Sequence, residues 1–398
     1  MWHFDAPSGR INGLATGARV PCNLALMGTD KRQARRTPWA SDPVGPRAAA
    51  RGALALLLAL TPAACGSSDD PASTAGSGGQ GMGGGPGSGG SGGSGGDTGS
   101  GGNGGDSGGG SSQRGFPEAG PWVSWYGPAD GIDLAKVAST FRIINIDVDP
   151  DTSNFTDADI QTLRAGGQNR VISYMNVGAC ESYRSYYSDA PPGHASCESS
   201  GALTTVYSPE YPDEMWANLA SPEYRDLIVN HVAARLEARG VDGFFLDNME
   251  VVEHGAGAAS GPCDDACSQG GLDLVWELRE RFPDRLIVMQ NATSDVTRLG
   301  MSHGAPYPPL LDGISHEEVY SNGGDAEARD QMLAWIGMDL TVNERPFWVA
   351  AEDYVGACDA DSKAAADTIY AQAAADGINE YVTDKSGSQL APCFWSDF

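Results

Sequence analysis

The sequence predicts an α/β protein of the (β/α)8 class, a TIM-type barrel over residues 116–398 whose eighth helix is short or missing. Three observations predict it. Short apolar, β-branched runs recur eight times in that span. A polar or amphipathic segment follows each run. The span also matches the about 250 residues such a barrel typically uses. Near-continuous apolar runs suit parallel strands covered on both faces. A doubly wound open sheet competes, because nothing in the pattern enforces closure.

The strands are read, in order, at Trp122–Tyr126, Arg142–Val148, Val171–Val177, Gly243–Leu246, Leu286–Gln290, Gly313–Glu317, Phe347–Ala351 and Glu380–Thr383. Helices are expected at Leu134–Ser139, Asp157–Ala165, Pro222–Arg239, Leu272–Phe282, Ala326–Ile336 and Ser362–Ala375. Pro222 occupies the first-turn position where a proline fits, directly after the cap-like Ser221. Few residues follow the last strand, which leaves little chain for an eighth helix.

The chain ahead of this body divides in two. Residues 1–65 form a basic leader. Its end, RAAARGALALLLALTPAAC from Arg47 to Cys65, has a basic start, an apolar run and then small residues. That is the layout of a secretory signal peptide, too short to span a bilayer. Cys65 after Ala-Ala resembles a bacterial lipoprotein cleavage site, although Pro62 stands where Leu is typical. Lipidation at Cys65 and an extracellular or cell-envelope location are therefore expected, with membrane contact only through that anchor. Residues 66–115 are a Gly/Ser-rich tract that behaves as a flexible linker. Its Gly76-x-Gly78-x-x-Gly81 matches a dinucleotide-binding spacing, but no strand precedes it and no helix follows, so no cofactor is expected.

Charge narrows the partners. The chain has 25 basic against 52 acidic side chains, a net charge of -27. This balance argues against nucleic acid, whose phosphates would be repelled, and tolerates or favours a cationic partner; plain acidity of a secreted protein explains the charge equally well. A monomer is expected. Six cysteines lie in the body, and an even number behind an export signal reads as three disulfides. The sequence-adjacent set is expected: Cys180 with Cys197, Cys263 with Cys267, and Cys358 with Cys393. A metal site is not expected, because Cys263 and Cys267 have no second Cys/His pair nearby.

In a barrel of this class the chemistry lies at the C-terminal ends of the strands. Those ends carry Tyr126, Asp147-Val-Asp149, Tyr174-Met-Asn176, Asp247-Asn248-Met-Glu250, Gln290-Asn291, His316-Glu317-Glu318, Glu352-Asp353 and Asp384-Lys385. Such a rim suits a hydroxyl-rich or cationic ligand. Cleaving a glycosidic bond needs one carboxylic acid to protonate the leaving oxygen and one carboxylate as nucleophile or base. Asp247 and Glu317 are the best pair, since each closes or directly follows an apolar strand. A lone Asp at a strand end more often caps a helix; it is the pair that points to catalysis. Tyr126, Tyr174, Trp216 and Tyr320 are candidates for stacking on sugar faces, with plain packing as the alternative. Asp147 and Asp149 share a face and are candidates for substrate hydroxyls or an amine. The amides Asn176, Asn248 and Asn291 complete the candidate substrate-binding set. Arg184 and His316 are read as structural.

At these residues the body resembles glycoside hydrolase family 114, the endo-α-1,4-polygalactosaminidase-like (β/α)8 proteins. The likeness runs from Trp125-Tyr126-Gly127 through Ile146-Asp147 and the stretch from Gly166 to Tyr174, then Asn176-Val177-Gly178. It continues through Glu181-Ser182-Tyr183-Arg184, Met215-Trp216, Ser221-Pro222-Glu223-Tyr224-Arg225 and Asp242-Gly243-Phe244-Phe245-Leu246-Asp247-Asn248 to Asn291, Asp312 and Glu317. The resemblance implies hydrolysis of α-1,4-linked galactosamine polymers by the acids after strands 4 and 6, which map onto Asp247 and Glu317. Analogy with other barrel α-glycosidases makes Asp247 the nucleophile and Glu317 the general acid/base. Two departures touch the sugar. Gln290 stands where the family often has Lys, and Glu250 where it has a second Asp.

Two readings from other classes compete. The barrel binds carbohydrate without cleaving it, or Asp247, Glu250 and a third carboxylate hold a divalent cation such as Mg or Ca. No Gly-x-Ser-x-Gly elbow occurs in the body, which disfavours a serine hydrolase.

Overall fold

The computed structural model describes residues 114–117, 120–209, 211–385 and 389–395. The leader, the signal peptide, the lipidation site Cys65 and nearly all of the linker lie outside the described residues. All eight expected strands are present: β1 (Trp122–Trp125), β2 (Ile143–Ile146), β3 (Arg170–Asn176), β4 (Gly243–Asp247), β5 (Leu286–Gln290), β6 (Gly313–Glu317), β7 (Trp348–Val355) and β8 (Asn379–Asp384). They form one eight-stranded sheet in chain order. Every ladder in it is parallel. The sheet curls until its ends meet, where the Trp122 indole Nε1–H donates to the Asn379 carbonyl at 3.2 Å. It is therefore a nearly closed (β/α)8 barrel rather than an open sheet.

Burial on both faces explains the apolar runs. Ile144, Val171, Phe244, Ile287 and Ile314 are fully buried on the outer face, beneath the helices. The inner face starts with a floor of rings. Trp122 packs on Phe245, Trp348 and Tyr381 with centroids 6.4, 5.3 and 5.6 Å away. Above the floor the interior turns polar, with buried Ser124, Asn145, Gln290, Ser315, Glu352 and Thr383.

The helices fall where periodicity and capping place them. They are α1 (Leu134–Thr140), α2 (Asp157–Arg164), α3 in three continuous pieces (Pro222–Asp226, a π-helical Leu227–Val232, and Ala233–Glu237), α4 (Asp265–Arg281), the short α5 (Asp295–Arg298), α6 (Ala326–Ile336) and α7 (Lys363–Asp376). Thr156 and Asp159 form a capping box at the start of α2. Ser221 caps α3 with Pro222 in its first turn. Helix α4 starts seven residues before the expected Leu272. Asp264 accepts from the Cys267 N–H, and the Cys263–Cys267 disulfide closes the same turn.

The other two disulfides, Cys180–Cys197 and Cys358–Cys393, are also the expected sequence-adjacent pairs. No helix follows β8 among the described residues. A strap of residues 389–395 lies along the seam between β8 and β1 instead. The Gln389 carbonyl accepts from the N–H groups of Tyr126 and Gly127 at 2.8 and 3.3 Å. A side chain at Gly127 would collide with the Leu390 carbonyl, 1.9 Å from where its Cβ would stand. Further along, the Trp395 indole donates to Val382 O at 2.9 Å, and Phe394 packs on Phe141.

The sequence pattern did not signal one element. Between β3 and β4 the chain inserts a three-stranded sheet, ordered Ala179–Glu181, Tyr211–Ala217, Leu203–Ser208. The latter two strands are mostly half-buried or exposed, so they lack an apolar run. No helix among the described residues is long and apolar enough to cross a membrane.

Candidate active site

The pleat decides which rim residues face inward. In-register pairing aligns Asn176 with Asp247 and Glu317 with Glu352, so these side chains point into the barrel mouth. The backbone then turns sharply. Asn248, Asn291 and Glu318, one residue past β4, β5 and β6, have φ of 59°, 65° and 57°. Asn tolerates this left-handed region well, whereas Glu318 adopts it at a cost of about 1–3 kcal/mol. Gly178 makes room for the first of these turns. A Cβ there would sit 1.7 Å from the Asn248 carbonyl oxygen.

The two asparagines then work as clamps. Asn248 Nδ2 donates to Glu214 Oε1 at 2.8 Å and to Asn176 Oδ1 at 3.0 Å, while Asn176 Nδ2 donates to the same Glu214 oxygen at 2.6 Å. Asn291 grips Glu317 twice. Its Nδ2 donates to Glu317 Oε2 at 2.8 Å, and its Oδ1 accepts the Glu317 N–H at 3.0 Å. The Tyr354 hydroxyl donates to the other oxygen, Glu317 Oε1, at 2.5 Å. The Glu317 carboxyl is thus held by neutral donors on both oxygens.

Burial and then the nearby Asp247 charge push the Glu250 carboxyl well above the carboxylate range, with further contributions from Glu317 and Glu253. Its Oε2 is buried and has no hydrogen-bond partner among the described residues. The Tyr207 phenol, on the inserted sheet, is raised by burial and by Glu250, Asp247, Glu214 and Glu317 in turn. Four carboxylates therefore converge on one phenol.

A second acidic cluster lies across the rim. Arg184 contacts Glu181 Oε2 at 2.7 Å, Asp147 Oδ2 at 3.0 Å and Asp149 Oδ2 at 3.5 Å. Arg235 pairs with Asp149 through a short contact and with Asp151 at 2.8 Å. Burial raises the Asp147 carboxyl to about 6 against the pull of Arg184.

The predicted residues sort accordingly. Asp247, Glu317, Asn176, Asn248 and Asn291 are brought to one mouth. Tyr126 and Tyr174 line its inner wall, both nearly buried, with rings 5.0 Å apart. Asp147 and Asp149 are held by arginines, and Arg184 serves the fold as expected. Trp216 is buried between Tyr207 and His254, at centroid distances of 4.6 and 4.9 Å, so its ring is engaged in packing. Tyr320 turns to the outside, where its hydroxyl donates to Asp376 at the end of α7 at 2.9 Å. Sequence reasoning missed Tyr207, Glu214, Tyr354 and Gln389. Only Tyr354 carried a signal, two residues beyond Glu352 and on the same strand face. Among the described residues no group of three or more His, Cys, Asp or Glu side chains has the arrangement to hold a metal ion.

A barrel that presents inward carboxylates from its fourth and sixth strands, wrapped in amides, has the architecture of a carbohydrate-cleaving barrel. The model of glycoside-hydrolase family GH114 matches residues 118–264, so this stretch of the barrel is similar to that family. The match includes Asp247 and ends before Glu317. Among solved structures, the glycoside hydrolase domain of PelA from Pseudomonas aeruginosa aligns with 16% identity and a TM-score of 0.48, covering 67% of this chain and 96% of that one. A GH18 chitinase from Pseudoalteromonas aurantia aligns with 12% identity and a TM-score of 0.38, covering 68% and 95%. No curated protein matches the chain. The three disulfides are consistent with an extracellular location.

Proposed function

We propose that this protein is an exported, surface-anchored hydrolase that cleaves α-1,4-linked galactosamine-containing polysaccharide with Asp247 as nucleophile and Glu317 as general acid/base. The observation that carries the reading is the fixed presentation of Glu317, gripped by Asn291 and Tyr354, into the mouth that Asp247 also faces. In the first step Glu317 gives its proton to the glycosidic oxygen while Asp247 bonds to the anomeric carbon. In the second, Glu317 takes a proton from water, and that water releases the sugar from Asp247. The net charge of -27 supports an amine-bearing polymer, which an acidic chain attracts.

Reducing-end release from a defined α-1,4-galactosamine polymer tests this. Wild type releases ends, whereas Asp247→Asn and Glu317→Gln do not. Binding without release in the wild type supports the carbohydrate-binding reading instead. Full activity in both variants removes the assignment.

A further inference from the structure

The strap that follows β8 also enters the barrel. Gln389 is fully buried, and its φ of 45° places a non-glycine residue in the left-handed region. Such a conformation persists only where its surroundings over-determine it. Here they do so at both ends of the side chain. The Ser124 hydroxyl donates to Gln389 Oε1 at 2.9 Å, and Ser124 is itself held by Asn145 Nδ2 at 3.1 Å. With Oε1 accepting from β1, the amide nitrogen faces β7, where Nε2 donates to the Tyr354 hydroxyl oxygen at 3.4 Å. A phenol has one proton and accepts through its oxygen. The Tyr354 proton goes to Glu317 Oε1. Beyond Gln389, the Cys358–Cys393 disulfide ties the strap to the loop after β7, the strand that carries Tyr354.

We infer that Gln389 is a positioning residue for the hydrolytic site: it orients the Tyr354 hydroxyl, which in turn fixes Glu317 in its working geometry. The inference rests on the role proposed above for Glu317. Positioning acts in the chemical step, because a misaimed acid/base binds substrate as well as an aligned one but transfers its proton less often.

The test is a double-mutant cycle in the full chain with Gln389→Leu, Tyr354→Phe and both together, read as kcat and KM on the α-1,4-galactosamine polymer. Each single variant lowers kcat about 10-fold, the worth of one hydrogen bond in a buried network, and leaves KM within about 2-fold. The double variant loses no more than Tyr354→Phe alone. A second readout needs no activity. In protein carrying 13C-labelled tyrosine, Gln389→Leu shifts the Tyr354 Cζ resonance, assigned by its loss in Tyr354→Phe, and leaves the thermal midpoint within about 3 °C. Additive losses, or an unmoved Tyr354 resonance, overturn the inference. A silent wild type on the polymer overturns the substrate reading, while the resonance shift still decides whether Gln389 orients Tyr354.

Discussion

The rim of this barrel holds two clusters of carboxylates built from the same residue types. Around β2 and β3, Asp147, Asp149 and Glu181 converge on the guanidinium groups of Arg184 and Arg235. Around β4 and β6, Glu317 is answered by an amide and a phenol, and the Glu250 carboxyl beside Asp247 is pushed above the carboxylate range. The first arrangement neutralises its charge internally, so it acts as a brace. The second keeps its charge available to whatever enters the mouth. Counting acids at strand ends does not separate the two; the partners of each acid do.

The contrast predicts a graded set of outcomes. The largest falls on activity. Asp247→Asn and Glu317→Gln each lower kcat roughly 1,000-fold on a cleavable polymer, with an unchanged urea midpoint. Asp149→Asn, on the other side of the rim, leaves kcat within a few-fold; a comparable collapse there would erase the distinction between the clusters.

Next is stability. Arg184→Met strips Asp147 and Glu181 of their guanidinium in a buried setting, with Asp149 still held by Arg235, and urea denaturation should show a loss of about 3–5 kcal/mol. A loss near zero would mean that the brace carries no load.

Smaller again is a dependence on pH. The Asp147 carboxyl is raised from 3.8 to about 6, and burial raises Glu253 from 4.5 to about 7. A carboxyl raised on folding contributes stability that is full below its unfolded value and is lost as pH climbs through its folded one. The thermal midpoint therefore falls between about pH 4 and pH 7, and Glu253→Gln makes that fall shallower. Glu250→Gln acts in the same direction. It raises the midpoint at pH 8, where the raised carboxyl disfavours the fold, and does little at pH 5.

What could be read from the sequence follows the same division. Strands buried on both faces announce themselves as apolar runs, and all eight were found. Strand β7 was cut short at Ala351 because Glu352-Asp353-Tyr354 looks like a loop. In the folded chain the strand continues to Val355, with Asp353 accepting from the Tyr320 and Ser321 N–H groups and Tyr354 reaching Glu317. The catalytic candidates were visible because they terminate strands. Arg235 was not recognised as the partner of Asp149, because the two lie 86 positions apart and nothing local links them. Gln389 carried no signal for the same reason: its contacts are with Ser124 and Tyr354, both distant in sequence. Tyr320 misled because an aromatic next to a strand end turns either way, and here Asp376 turned it outward.

The left-handed residues after β4, β5 and β6 bear on how such a protein changes over time. Each corner acts as a pivot: everything before it is locked to the barrel, and whatever follows departs in a direction the corner has already set. The first residues past the corners, Met249, Ala292 and Val319, are buried again, so each loop leaves the barrel only after a packed step. A bulky β-branched side chain at any of the three pivots would disturb the corner that holds the strand end in place.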